Sequence, residues 1–177
     1  MPTPPTFTVG QYNTAAYMNA IGLWLVKTQT IGAGVSSQAV TDAFSGDYEA
    51  YLIQVSGGLS SNTTTLGLRL GSKVTNYRYQ FMYGSWTNTP LAVGSTTGDR
   101  FEFAGSCDAN GLTMNCTVIN PQLAKATRAV GDSTQSGNYS GNMTGYDPDI
   151  TQYTGFTILP GAGTLTGGTI RVYGYRK

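Results

Sequence analysis

The segment 153-YTGFTILPGAGTLTGGTIRVYGYR-176 decides the fold of this chain. Phe156 and Ile158, and later Ile170 and Val172, alternate with small or polar residues, the period-two pattern of a strand with one buried face. A proline and several glycines separate the two runs, as is typical of a turn-rich connection. The segment therefore predicts two core strands, the second of which pins the chain end into a sheet.

The same alternation recurs upstream. Residues 48–56 are apolar on both faces and predict a central strand, while residues 77–83 place four aromatic rings on one face. We expect about nine or ten short strands with turns between them, which favours an all-β fold, an antiparallel β-sandwich of the jelly-roll-like kind. Two polar stretches, 84–99 and 131–149, are predicted to be long loops, the second alternatively a poor edge strand.

Composition agrees with a single β-domain. Charged residues make up only 11% of the 177, and 12 Tyr, 6 Phe and 24 Gly take much of the remainder. This mix suits strands and tight turns. The net charge of +1 without a basic run argues against nucleic-acid binding, and no apolar stretch reaches membrane-spanning length. Since residues 1–10 lack a secretory pattern, we expect synthesis in a cytoplasm.

The N-terminal residues differ from the rest. Prolines 2, 4 and 5 predict an extended arm, and apolar residues at spacing i, i+3, i+4, i+7 from Tyr17 predict an amphipathic helix over 14–26. Such a helix must dock, either on its own β-domain or on a neighbouring chain. We therefore divide the chain into an anchoring part, 1–27, and a β-domain, 28–177. The candidate anchoring side chains are Phe7, Tyr12, Tyr17, Ile21, Trp24 and Leu25.

Cys107 and Cys116 flank a predicted hairpin turn at 108–111. With the tip at Ala109-Asn110, Cys107 lies opposite Leu112 and Cys116 opposite Phe103, which is out of register for a disulfide. We expect two free thiols, with Cys116 filling the core.

Catalytic and metal-binding patterns are missing from the sequence. It contains no histidine and no phosphate-binding glycine loop. Asp99 and Glu102 are explained by turn and solvent-facing roles, and the Asp147-Pro148-Asp149 segment by an ordinary turn, although its carboxylates could join a calcium site. We expect no enzyme, no cofactor and no metal ion.

Several aromatic residues are predicted to be exposed among Asn, Ser and Gly. Such a surface is typical of sugar recognition or of a protein contact, and a subunit interface or second packed layer explains it equally simply. The candidate residues are Trp86, Tyr139, Tyr146, Tyr173 and Tyr175.

The chain end resembles the C-terminus of small virion proteins of tailed bacteriophages, whose last segment follows the form FTL-P-(S/G)-x-GT-(L/F)-(T/S)-GGT-I-RVYGYR. Residues 42–57, DAFSGDYEAYLIQVSG, are similar to an early strand of the same group. Residues 6–22, TFTVGQYNTAAYMNAIG, are similar to an attachment segment at the start of phage tail and structural proteins. The match at the chain end comprises Phe156, Pro160, Gly163, Thr164 and residues 167–176.

This resemblance implies a virion surface protein, assembled in the host cytoplasm, with a jelly-roll-like domain and a trimeric state. Its partners would be other virion proteins, either the major capsid protein or tail and adaptor proteins. One hypothesis is a capsid decoration protein, a cement or head-fibre subunit, because the chain lacks a repetitive shaft. The other is a tail-fibre or receptor-binding subunit that recognises host surface glycans through Trp86 and residues 131–149. A depolymerase enzyme is a third, weaker hypothesis.

Overall fold

The computed structural model describes residue 10, residues 23–135 and residues 138–175. Fourteen strands form in these ranges, and no helix does. The strands are β1 (Leu23–Thr30), β2 (Gln38–Val40), β3 (Ala50–Gly57), β4 (Leu59–Ser60), β5 (Thr64–Leu70), β6 (Tyr77–Ser85), β7 (Pro90–Gly98), β8 (Phe101–Asp108), β9 (Gly111–Ile119), β10 (Thr127–Gln135), β11 (Tyr139–Asp147), β12 (Phe156–Pro160), β13 (Leu165–Thr166) and β14 (Thr169–Tyr175).

The main sheet of twelve strands forks at β9. One edge of β9 pairs with β3 along its length, whereas the other edge pairs first with β8 and then with β10. From the fork, one branch runs β8–β5–β12–β2 and the other runs β10–β11–β6–β7, while β3 continues through β14 to β1. Every pairing is antiparallel, so the all-β antiparallel prediction is confirmed, and the arrangement is consistent with a β-sandwich.

Aromatic rings hold the two branches together. Phe81 of β6 stacks on Phe103 of β8 with ring centroids 4.4 Å apart, and Tyr77 meets Phe101 edge-on at 4.8 Å. Phe81, Tyr77 and Phe101 are fully buried. The predicted aromatic face of residues 77–83 is therefore confirmed as the inner face of β6.

The two strands predicted from the chain end are also confirmed. β14 lies between β1 and β3, with Ile170 and Val172 fully buried, and β12 lies between β2 and β5. Gly174 is required by packing, because a Cβ there would overlap the ring of Tyr48. The turn before β14 uses Gly167 at φ +67° and Gly168 at φ +92°, backbone conformations that favour glycine.

The helix predicted over 14–26 is wrong for its last four residues. Leu23–Val26 are strand β1, paired with β14, and residues 14–22 lie outside the described residues. Pairing with β14 outweighs the helical spacing, because Leu-Trp-Leu-Val is a continuous apolar run that fits a strand as well as a helix and contains the strand formers Trp and Val. β1 crosses position 27, and the division into 1–27 and 28–177 stays a prediction.

The long loop predicted over 84–99 is wrong. For 131–149 the loop prediction is wrong and its alternative, a strand, is correct, except that the strands are interior and not at an edge. Within residues 84–99 the chain forms the exposed edge strand β7, joined to β6 by a short turn. Within residues 131–149 it continues β10 and then forms β11, and the two make a hairpin in register from Thr127↔Asp147 to Gln135↔Tyr139. The inward side chains of β10 are small or polar, because Gly131 and Ser133 lie directly against the backbone of β8. A hydrophobic alternation was therefore absent from the sequence.

The cysteine prediction is confirmed in its outcome. Cys107 and Cys116 are free and buried, and Cys107 lies opposite Leu112 as expected. The predicted pairing of Cys116 with Phe103 is wrong, because β8 leaves β9 at the fork and Gly131 of β10 takes that place.

We expect alkaline pH to destabilise the fold. Burial raises the pKa of the Cys116 thiol and of the Tyr48 hydroxyl, each to about 12, and burial also raises the pKa of Tyr77 and Tyr153. In the unfolded chain these groups ionise near pH 8.5 for cysteine and about 10 for tyrosine. The unfolded state then binds fewer protons than the native state, so the free energy of unfolding falls as pH rises.

Urea unfolding between pH 7 and 11 measures this effect. The unfolding midpoint should begin to fall at about pH 8.5 to 9 and fall more steeply above about pH 10. Burial raises the pKa of the Cys107 thiol as well, so the first part of this decline should become smaller in Cys116→Ala and disappear in Cys107→Ala/Cys116→Ala. A midpoint that stays constant up to pH 11 would contradict the burial of these groups.

Candidate binding surfaces

An exposed apolar strip lies where β1 borders β14. Leu23 is paired with Tyr175 and Leu25 with Tyr173, so the four side chains share one face of the sheet. Leu23 is 46% exposed, Leu25 47% and Tyr175 39%. We call these four residues the edge strip. Leu25 is a predicted anchoring residue, and Tyr173 and Tyr175 are predicted recognition residues. The edge strip therefore joins residues that were predicted to belong to separate sites.

Trp24 occupies the opposite face of β1. Its ring is half-buried against the core of its own domain, and the buried Nε1 has no hydrogen-bond partner among the described residues. A bulge after Leu25 turns Val26 into the core, where it is 7% exposed. Of the six predicted anchoring residues, Phe7, Tyr12, Tyr17 and Ile21 lie outside the described residues, and the anchoring role stays a prediction.

A second surface lies on the outer face of β10, β11 and β6. Arg128, Tyr146 and Arg78 are direct cross-strand neighbours on these three strands. The guanidinium carbon of Arg128 lies 5.5 Å from the centroid of the Tyr146 ring, and that of Arg78 lies 6.0 Å from it. Both distances fall within the range of cation–π attraction, so both guanidinium groups contact the same tyrosine ring, one from each neighbouring strand.

These three residues line an open cleft of about 460 Å³, which we call the arginine cleft. Its wall also contains neutral hydrogen-bonding side chains, namely Gln80, Ser95, Thr96 and Thr144, and none of its lining residues is acidic. Three other cations of the chain, Arg69, Lys73 and Arg100, pair with carboxylates. Among the described residues, Arg78 and Arg128 pair with none, so their positive charge is directed to solvent.

The five predicted recognition residues do not form one site. Tyr146 lies in the arginine cleft, Tyr173 and Tyr175 lie in the edge strip, and both tyrosines of β11 are in a strand rather than a loop. Tyr139 packs inside the domain, with its ring 5.3 Å from that of Phe81. Trp86, in the β6–β7 turn, is 56% exposed, and its Nε1 donates a hydrogen bond of 3.0 Å to the Gln135 carbonyl.

Sequence reasoning missed Arg78 and Arg128 as site residues. The alternation of β6 does place Arg78 opposite the aromatic face, which was a usable signal. The neighbour relation with Arg128 depends on the β10–β11 hairpin, and that hairpin was assigned to a loop. Cross-strand register between polar strands has no signature in a single sequence.

The acidic residues considered for catalysis or calcium are engaged in ion pairs. Lys73 Nζ lies 3.0 Å from Asp147 Oδ1 and also pairs with Asp149, so one lysine engages both carboxylates of the Asp147–Asp149 turn. Glu102 pairs with Arg100 and accepts a hydrogen bond from Thr65 at 2.5 Å. The side chain of Glu102 is only 20% exposed, so its predicted solvent-facing role is wrong.

Asp99 pairs with Arg69. Among the described ranges, no cluster of three or more Cys, Asp or Glu side chains has the geometry to hold a metal ion.

The part of the chain that the structure covers contains no helix of the length and apolarity that crossing a membrane requires.

Comparisons with known proteins identify no family for this chain. No protein-family model and no curated protein sequence matches this chain. Two solved structures show distant likeness. One is a structure of the infectious bursal disease virus Gx strain, with 8% sequence identity and a TM-score of 0.16. The other is the infectious bursal disease virus VP2 subviral particle, with 9% sequence identity and a TM-score of 0.14. The alignments cover 88% and 84% of this chain but only 39% and 40% of the viral chains. At such TM-scores the likeness to these viral proteins carries no argument.

Proposed function

We propose that this protein is a non-enzymatic structural protein of a tailed-bacteriophage virion, specifically a capsid decoration subunit with a jelly-roll-like domain. Residues 1–27 would attach it to the particle, with the major capsid protein as partner. The resemblance of the chain end and of residues 6–22 supports the phage assignment. The observation that carries the attachment hypothesis is the edge strip, because it lies where residues 1–22 join β1.

The physical argument concerns exposed apolar surface. Leu23, Leu25 and two tyrosines stand together at a sheet edge, and a contiguous exposed apolar patch of this kind is typical of a protein contact. Tyr and Leu side chains bury large apolar areas when a partner covers them. A partner that binds residues 1–22 would therefore reach the edge strip as well.

The trimeric state is part of the same proposal. Leu91 and Val93 of β7 are 46% and 38% exposed on the inner side of the sheet, next to Tyr83 and Phe81. An apolar, uncovered edge strand favours contact with another subunit. Light scattering of the purified protein should give three times the chain mass, and a monomer mass would exclude the trimer.

A sorting experiment tests the attachment hypothesis. Fluorescent full-length protein is added to tail-free capsids that lack it, and separately to host cells. Leu25→Ser is compared with Leu59→Ser, a matched control because Leu59 is 43% exposed, lies in the separate β4–β13 sheet, and belongs to neither the edge strip nor the arginine cleft. We expect saturable capsid binding that Leu25→Ser weakens by roughly thirtyfold, the effect of losing a contact of about 2 kcal/mol.

The control variant Leu59→Ser should bind capsids like the wild type. If both variants weaken capsid binding equally, or if neither weakens it, the edge strip is not the contact. Saturable binding to cells but not to capsids would overturn the decoration hypothesis.

The second candidate function is a tail-fibre or receptor-binding subunit that recognises a host surface glycan. The arginine cleft favours it, because a cleft of about 460 Å³ with unpaired cations and neutral polar groups has the size and chemistry of a ligand site. In the sorting experiment this function predicts cell binding that soluble surface polysaccharide blocks.

A further inference from the structure

We propose that the arginine cleft binds an acidic saccharide, with Arg78 and Arg128 holding its carboxylate or sulfate group. This inference goes beyond the proposed virion function, because it applies whether the subunit sits on the head or on the tail. It starts from the register of β10, β11 and β6, which sets two guanidinium groups on either side of one tyrosine ring.

The first step is electrostatic. Two neighbouring guanidinium groups repel each other, and no carboxylate lines the cleft to neutralise them. Cation–π contact with Tyr146, at 5.5 and 6.0 Å, keeps both groups in place without removing their charge. Guanidinium is the cation best suited to forked hydrogen bonds with carboxylate and sulfate oxygens. An anionic group therefore fits the centre of the cleft.

The second step is the neutral lining. Gln80, Ser95, Thr96 and Thr144 surround the arginines with amide and hydroxyl groups that both donate and accept hydrogen bonds. Ring hydroxyls of a sugar need such partners, whereas an inorganic anion does not. The cleft volume of about 460 Å³ accommodates a small sugar unit, and its open form lets a longer chain continue on either side.

Nucleic acid fits the surface less well. Backbone recognition of nucleic acid uses a track of several cations along the phosphates. Here the next row on the same face, Val130, Thr144 and Gln80, carries no cation. The row after it carries Asp132 hydrogen-bonded to Asn142, with Met82 beyond it. Two cations followed by an acidic residue do not form the track of cations that a phosphate chain requires.

The test measures equilibrium binding of the full-length protein to four probes by calorimetry. Two are acidic, a galacturonate hexasaccharide and a sulfated heparin hexasaccharide. The others are neutral maltohexaose and a 12-nucleotide single-stranded DNA. We expect binding to at least one acidic saccharide, weaker at higher salt, and none to maltohexaose. The two acidic probes distinguish carboxylate from sulfate recognition.

Variants assign the binding to the cleft. Arg78→Gln/Arg128→Gln should weaken binding by about a hundredfold, roughly tenfold for each lost charged hydrogen-bonding group. The matched control Lys125→Gln/Arg171→Gln removes the same charge outside the cleft and should bind like the wild type.

Three results would overturn the proposal. These are no binding of either acidic saccharide, equal weakening by the cleft and control variants, and tighter cleft-dependent binding of DNA than of either saccharide. The outcome is separable from the attachment hypothesis, because the cleft double variant should still bind capsids with wild-type affinity.

Discussion

Replacing Lys73 with methionine should lower the free energy of unfolding by about 3–5 kcal/mol. The Lys73 side chain is 8% exposed and that of Asp147 is fully buried, and their charged atoms lie 3.0 Å apart. Methionine keeps the apolar stem but removes the cation. Asp147 would retain hydrogen bonds from the Tyr153 hydroxyl, at 2.7 Å, and from the Asp149 amide, but its buried charge would be uncompensated. Urea unfolding at pH 7 measures the loss.

Two further variants isolate the cause. Lys125→Met removes an exposed lysine and should change stability by less than about 0.5 kcal/mol. Lys73→Met/Asp147→Asn removes both buried charges and should be more stable than Lys73→Met alone, since the carboxylate left without a partner, that of Asp149, is 46% exposed to water. If Lys73→Met lowers the free energy of unfolding no more than Lys125→Met does, the Lys73–Asp147 ion pair does not stabilise the fold. This pair ties the β5–β6 turn to the end of β11, one residue beyond Tyr146, so it also fixes one side of the arginine cleft.

Burial patterns with clear alternation were predictable from the sequence. β3, β6 and β14 each carry large apolar residues on every second position, and each lies where its pattern requires. The free cysteines were predicted mainly from a hairpin register, of which the Cys107–Leu112 pairing is correct and the Cys116–Phe103 pairing is not. These predictions depend only on local spacing and on the alternation of side chains along a strand.

The failures share a physical cause, which is that packing partners distant in sequence decided the local structure. β10 turns Ala129, Gly131 and Ser133 inward because β8 approaches too closely for larger side chains; the Ser133 hydroxyl donates to the Gly105 carbonyl at 2.9 Å. The sequence of such a strand lacks hydrophobic alternation and therefore resembles that of a polar loop. Leu23–Val26 fit a helical stripe and a strand equally, and pairing with β14 decides between them.

The candidate site was predictable only in part. Tyr146, Tyr173 and Tyr175 were identified as surface aromatics, and two of them do share a face. Their neighbours could not be identified, because the edge strip requires the β1–β14 pairing and the arginine cleft requires the β10–β11–β6 register. A sequence gives the face on which a residue lies more readily than its neighbour across the sheet.

Replacing Phe81 with alanine should lower the free energy of unfolding by about 3–5 kcal/mol, the cost of removing a fully buried aromatic ring. Phe81 lies parallel to Phe103 at 4.4 Å and 3°, and it also contacts the rings of Tyr83 and Tyr139 at 5.0 and 5.3 Å. It therefore joins the two branches of the forked sheet. The cavity would remove stacking between the branches as well as apolar burial.

The adjacent Met82 provides the matched control. It lies on the opposite face of β6 and is 67% exposed, so Met82→Ala should cost less than about 0.5 kcal/mol. The loss in free energy of unfolding for Phe81→Leu should lie between those for Phe81→Ala and Met82→Ala, because leucine keeps part of the side-chain volume but loses the stacking. Urea unfolding of the three variants at pH 7 gives the comparison. A loss below about 1 kcal/mol for Phe81→Ala would show that the branches do not pack through this ring. The forked arrangement, in which β8 and β10 diverge from β9 and close again over an aromatic core, would then be incorrect.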